Sequence, residues 1–188
     1  MTPDTELELA FDASLMPAHM HTAHLATHDL HLRPLASTDD SRGHMAALAD
    51  LTHSPSLTHD TYLTIFNSLK ASSLSGSPSY FPIVLVHKPT DKIVACATLF
   101  IEQKFIRNGG KVGHIEDVVV VASGASRGKG LGKVIIDVLT QISMQQGAYK
   151  VILDCDDKNV AFYEKCTYTR KGAQMAKYAP NTPSKSHF

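Results

Sequence analysis

The sequence predicts an α/β protein of the α+β kind, with a central, mixed, mostly antiparallel twisted sheet flanked by helices. Three observations predict it. Ile83-Val84-Leu85-Val86 and Lys92 to Ile101 are rich in β-branched residues, and the turn signal Lys88-Pro89-Thr90-Asp91 joins them into a hairpin. Apolar residues recur at Leu131, Val134, Ile135, Val138, Leu139 and Ile142, the i, i+3, i+4 spacing of an amphipathic helix. That helix lies between a Val-rich segment and the short apolar run Val151-Ile152-Leu153. The unit over 115–154 is therefore expected to be the one parallel, right-handed piece, because parallel neighbours need a crossover.

Residues 1–28 mix Pro, Ala, Met and His without a lasting period and read as a poorly ordered lead-in. Residues 29–178 read as one domain and 179–188 as a tail. The domain begins with a short strand around His31 to Leu35. Ser37-Thr38-Asp39-Asp40 then offers helix-capping chemistry for a helix over 39–52. Thr58 caps a second helix over 58–71, which the Ser/Gly/Pro stretch Ser72 to Ser79 ends. After the hairpin, the turn Asn108-Gly109-Gly110 leads into a strand over 112–121. Beyond Val151-Ile152-Leu153, Asn159 caps a short helix to Lys165, and Tyr168 to Lys177 reads as a last strand.

Composition narrows the function classes. Lys+Arg and Asp+Glu both number 18, so the broad positive field that favours nucleic acid or an anionic membrane is missing, and neither partner is expected. The run Val118 to Ala122 is far too short for a bilayer span, and no Lys or Arg precedes Arg33, so no targeting segment can be drawn and a cytoplasmic location is expected. Cys96, Cys155 and Cys166 suggest neither a disulfide framework nor a metal site. His19, His21, His24, His28 and His31 raise the question of a metal, but no Cys or helix-fixing context accompanies them. A solvated tail is the expectation, with no metal.

Arg127-Gly128-Lys129-Gly130-Leu131-Gly132 lies between the Val-rich strand and the long helix. Glycines there let the backbone bend closely around a ligand, and the free amides and dipole of a helix N-terminus suit a diphosphate. Two other phosphate loops are disfavoured. Lys133 is followed by Val134 instead of Ser or Thr, and the turn does not follow the first strand of a parallel sheet.

Arg127-x-x-Gly130-x-Gly132 after the strand Glu116-Asp117-Val118-Val119-Val120 resembles the acetyl-CoA signature of the GNAT acetyltransferases. Gly113 to Val118, Tyr149 to Cys155 and Asn159 to Cys166 narrow the likeness to the glucosamine 6-phosphate N-acetyltransferase branch of that superfamily. The resemblance spans about residues 30–178. It implies a GNAT fold in which acetyl-CoA lies in a notch between splayed strands, held by Val118, Val119, Val120, Arg127 to Lys133, Asn159, Phe162, Tyr163 and Lys165. It further implies a homodimer with active sites at the subunit interface, and a product that feeds UDP-N-acetylglucosamine biosynthesis.

Acetyl transfer to an amine needs a neutral nitrogen, a stabilised oxyanion and a proton or hydrogen bond for the departing thiolate. By the resemblance, the N–H near Val119 polarises the thioester carbonyl and Tyr163 faces the sulfur. Glu116 or Asp154 removes the ammonium proton, and the choice between them stays open. Glu116 and Asp117, adjacent on a strand, point to opposite faces and must have separate jobs. The amino-sugar phosphate is held by residues matching Thr52, Lys104, Phe105, Ile106, Arg107, Glu116, Asp117, Val118, Tyr149, Lys150, Asp154 and Tyr178, with Tyr149-Lys150 coming from the partner subunit. Two positions depart from the pattern: Thr167 stands where the family usually has Gly, and Tyr178 where some relatives have Arg. A GNAT enzyme for another amine and a non-catalytic acyl-CoA-binding module are the rival readings.

Overall fold

Strands whose central members are buried almost throughout build a five-stranded sheet in the computed structural model, which describes residues 1–52, 54–74, 76–122, 126 and 128–180. Strand β1 (Leu30–Pro34) is followed by helices α2 (His44–Ala49) and α3 (His59–Ala71), after the short α1 (Thr22–Thr27). A small ribbon, β2 (Ser73–Leu74) and β3 (Ser77–Pro78), leads to β4 (Tyr80–His87) and β5 (Lys92–Gln103). The turn α4 (Ile106–Gly109) joins β5 to β6 (Lys111–Val120), and then come α5 (Leu131–Gln145), β7 (Ala148–Ile152) and α6 (Val160–Lys165). The sheet order is β1-β4-β5-β6-β7. All its pairs are antiparallel except β6 with β7, which is parallel across the α5 crossover.

The six periodic residues of α5, Leu131 to Ile142, are all buried to 2% exposure or less. Burying each such side chain is worth about 1.5–3 kcal/mol, far above helix propensity differences of about 0.7 kcal/mol per residue. Packing on the sheet therefore holds α5 in place. Thr58 caps α3 as expected, accepting from the Thr61 amide at 3.3 Å.

Three expectations are corrected. The 39–52 helix is shortened to α2 because Asp39 does not cap it. Instead Asp39, wholly buried, takes two 2.7 Å bonds from the buried Arg33 guanidinium and one of 2.8 Å from the Ala36 amide. Residues 1–28 are not a solvated lead-in. Ala10, Phe11 and Leu25 are buried, the Phe11 ring meets Phe81 edge-on at 5.0 Å, and Ala10 donates to the Leu35 carbonyl at 2.8 Å. Their irregular spacing hides this burial from any periodicity test, since three short turns, not one long helix, deliver them. Finally, Tyr168 to Lys177 joins no strand among the described residues, and β7 is left as a sheet edge. Residues 181–188 of the expected tail lie outside the described residues.

Candidate active site

The geometry of β6 opens the site. Cys96 pairs with Val119 and Thr98 with Glu116, so three steps on β6 face two on β5, a β-bulge. Asp117 at the bulge has φ +53, a left-handed conformation that an L residue holds only under constraint. Pairing of β6 with β7 ends at His114 and Ile152. Past that point, among the described residues, β6 has no partner on its β7 side, and a cavity of about 630 Å³ begins there.

Each wall of the cavity comes from a different element. Val118 and Val120 face it from β6, with Val121, Ala122 and Ser126 continuing the wall. The last three were missed by sequence reasoning, which stopped the contact at the strand end; Ser126 is anchored by its hydroxyl donating to the Val121 carbonyl. Gly128, Gly130, Leu131 and Gly132 form the floor. Gly128 and Gly130 have φ +75 and +63, and Gly130 is the N-cap of α5. The Leu131 and Gly132 amides precede the first helical bond, which Lys133 makes to the Gly130 carbonyl at 3.1 Å, and they lie at the positive end of a 15-residue helix. A Cβ on Gly132 would lie 2.9 Å from the Phe162 ring, so glycine there keeps the floor against the far wall of Asn159, Phe162 and Tyr163.

The end of α6 aims Tyr163. Thr167 donates to the Glu164 carbonyl and Tyr168 to the Tyr163 carbonyl, both at 3.0 Å, closing the helix in a Schellman pattern. Thr167 takes φ +68 there, the conformation for which Gly is preferred. Tyr168 rests against Tyr163 with ring centroids 6.4 Å apart and bonds Thr140 at 2.7 Å. Burial, and then the nearby Cys155, Cys166 and Tyr168, push the Tyr163 phenol up to about 12.

Other expected residues do not line this cavity. Val119 packs its side chain in the core at 4% exposure, leaving only its main chain for the role expected of it. Lys129 contributes a carbonyl to α1, Lys133 pairs with Asp137 at 2.7 Å, and Lys165 is exposed. Arg127 lies outside the described residues.

Glu116 and Asp117 are neighbours at the bulge. Burial, then the Asp154 and Asp117 carboxylates, raise the pKa of Glu116. Asp117 is raised by burial and lines a second cavity of about 200 Å³ beneath α2 and α3. There His44 bonds the Tyr62 hydroxyl at 3.0 Å, and burial lowers that imidazole to about 4. Asp154 accepts from the Gln174 side chain at 3.0 Å.

The expected phosphate anchors gather elsewhere. Arg107, at φ +56 in the α4 turn, lies 5.7 Å from the Tyr149 ring centroid, and Lys150 lies 5.9 Å from it. Lys104 pairs with Glu102 at 2.5 Å, and Phe105 and Ile106 are exposed. Lys150 is level with Val112, about 20 Å along β6 from Val118 at strand rise. A single chain therefore does not bring Tyr149-Lys150 to the cavity. Thr52 follows α2 and is exposed, and Tyr178 is half exposed. Among the described residues no group of three or more metal-ligating side chains forms, and no helix is long and apolar enough to cross a membrane.

A mixed sheet with parted strands over a glycine turn at a helix N-terminus defines the class, and the family model of the GNAT acetyltransferases matches residues 45–168. The chain belongs to that family. Among its relatives, glucosamine 6-phosphate N-acetyltransferase 1 of Dictyostelium discoideum is 47% identical over 151 residues, covering 80% of this chain and 92% of that one. The crystal structure of glucosamine-6-phosphate N-acetyltransferase from Arabidopsis thaliana is 38% identical with a TM-score of 0.73, covering 79% and 97% of the two chains. A Trypanosoma brucei acetyltransferase structure is 40% identical with a TM-score of 0.72, covering 80% and 100%.

Proposed function

We propose that this chain transfers acetyl from acetyl-CoA to the 2-amine of D-glucosamine 6-phosphate, giving N-acetylglucosamine 6-phosphate and CoA. The reading extends to a direct ternary complex, a homodimer with shared active sites, and a cytoplasmic place in UDP-N-acetylglucosamine biosynthesis. The observation that carries it is the cavity between β6, the start of α5 and α6, with Tyr163 on its wall, in a chain whose relatives bear that activity in their names.

The cavity fits the co-substrate. Amides at the start of α5 suit a diphosphate, and Val118 and Val120 suit the apolar arm. The thioester supplies the activated acetyl group. Glu116, its pKa raised by burial and then by Asp154 and Asp117, takes the ammonium proton in this reading, with Asp154 the other candidate. The nitrogen then bonds the carbonyl carbon, the C–S bond breaks, and the sulfur leaves as thiolate beside Tyr163. A phenol at about 12 is a weaker acid than a thiol near 8.5. Tyr163 therefore acts as a hydrogen-bond donor to the thiolate, with full proton transfer uphill.

Burial raises the thiols of Cys155 and Cys166, with Asp154 also raising Cys155. Less thiolate at neutral pH argues against an acetyl-cysteine intermediate. The test is CoA-thiol release from acetyl-CoA with glucosamine 6-phosphate, unphosphorylated glucosamine or spermidine as acceptor. The phosphorylated sugar should turn over best. Preference for the polyamine would mean another GNAT substrate, and no release with any acceptor would favour a binding module.

A further inference from the structure

The histidine-bearing helix α1 lies before the residues matched to the family, yet it touches the glycine turn. Leu25 anchors it in the core. Just ahead of that anchor in the chain, His24 Nε2 sits 2.7 Å from the Lys129 carbonyl oxygen and His21 Nε2 sits 3.0 Å from Asp137 Oδ2. Asp137 in turn holds Lys133 Nζ at 2.8 and 2.7 Å. The His28 ring packs edge-on against His24, centroids 4.8 Å apart. Helix α1 is thus tied both to the turn and to the first two turns of α5.

A carbonyl only accepts, so His24 must carry its proton on Nε2 and donate it. The peptide between Lys129 and Gly130 is trans, which makes the Lys129 C=O and the Gly130 N–H point in opposite directions. Drawing the carbonyl toward α1 turns that N–H away from α1, and Gly130 lines the cavity. Gly130 at φ +63 is one of several conformations a glycine visits freely. A donor fixed on its neighbour removes that freedom before any ligand arrives, which strengthens binding by preorganisation.

We propose that α1 belongs to the co-substrate site, with His24 a positioning residue that sets the Gly130 amide toward the diphosphate of CoA. The inference rests on the acetyl-CoA reading above. His24→Leu removes the donor, and His24→Gln keeps an N–H at the same number of bonds from the main chain. The leucine variant should raise the Kd for CoA in calorimetry and the KM for acetyl-CoA about three- to tenfold, the range of one hydrogen bond. Its kcat and its KM for the amino sugar should stay within about twofold of wild type, and the glutamine variant should recover CoA affinity.

An unchanged CoA affinity in His24→Leu, a glutamine variant as weak as leucine, or a loss confined to kcat would each overturn the proposal. Should the leucine variant not fold, His24→Asn, whose amide is one bond too short, replaces it with the same expectations. Wild-type protein that binds no CoA would refute the acetyl-CoA reading itself. Wild type that binds beside a variant that binds equally well would refute only the role of His24.

Discussion

Tyr163 and Glu116 are each shifted by burial in the direction of their neutral forms, and the consequence differs for each. Tyr163, at about 12, stays a donor throughout the range in which the protein is handled. Tyr163→Phe keeps the ring packed on Tyr168 and removes the hydroxyl. It is expected to lower kcat about 10²-fold or more with little change in the KM for acetyl-CoA, measured by thiol release. Equal kcat would leave Tyr163 as a wall residue. For Glu116 the pKa in the folded chain lies above its ordinary 4.5, so the folded state binds more protons than the unfolded state once pH passes 4.5. Stability then falls as pH rises through that window. Glu116→Gln should therefore melt higher than wild type at neutral pH and lose that advantage well below pH 4.5, while kcat drops if Glu116 is the base. If Asp154→Asn alone abolishes turnover, the base is Asp154. These carboxylates were legible as candidates from their places in the sequence. Strand alternation puts them on opposite faces, but the bulge at Asp117, a backbone feature that no residue type announces, interrupts that alternation.

Among the elements, α5 and its glycine turn were the most legible, because a 3.6-residue period and glycines at positive φ both leave marks in sequence. Helix α6 shows the opposite case. Thr167 occupies the left-handed position of its Schellman end at φ +68, where a side chain costs about 1–2 kcal/mol. Thr167→Gly relieves this but adds about 0.5–1 kcal/mol of backbone freedom to the unfolded chain. A net gain of about 0.5–1 kcal/mol is expected, seen as a melting point higher by about 1–4 °C. A lower melting point would mean that the threonine side chain makes a compensating contact. The last strand, Tyr168 to Lys177, was misread because β-propensity reports a fitting surface and not the presence of a partner. An extended segment that pairs with no edge has no ladder.

For the whole molecule, that unpaired segment, the open β7 edge and the distance from Tyr149-Lys150 to the cavity have a common solution in a second copy of the chain. Phe105, Ile106, Tyr149 and Met175 are exposed apolar side chains that such a contact would cover. Sedimentation equilibrium should give twice the mass of the chain, and a monomer at assay concentration would remove the shared active site from the account. Nothing in one sequence shows where a partner sits, so this part came only by resemblance. The buried Arg33–Asp39 pair and the N-terminal residues Ala10 and Phe11 were equally hidden, since their roles depend on contacts distant in the chain. The account depends most on the free amides at the head of α5 gripping a diphosphate. Titrating CoA into the purified protein by calorimetry tests this directly: saturable binding of one CoA per chain is predicted, and the absence of binding would contradict it.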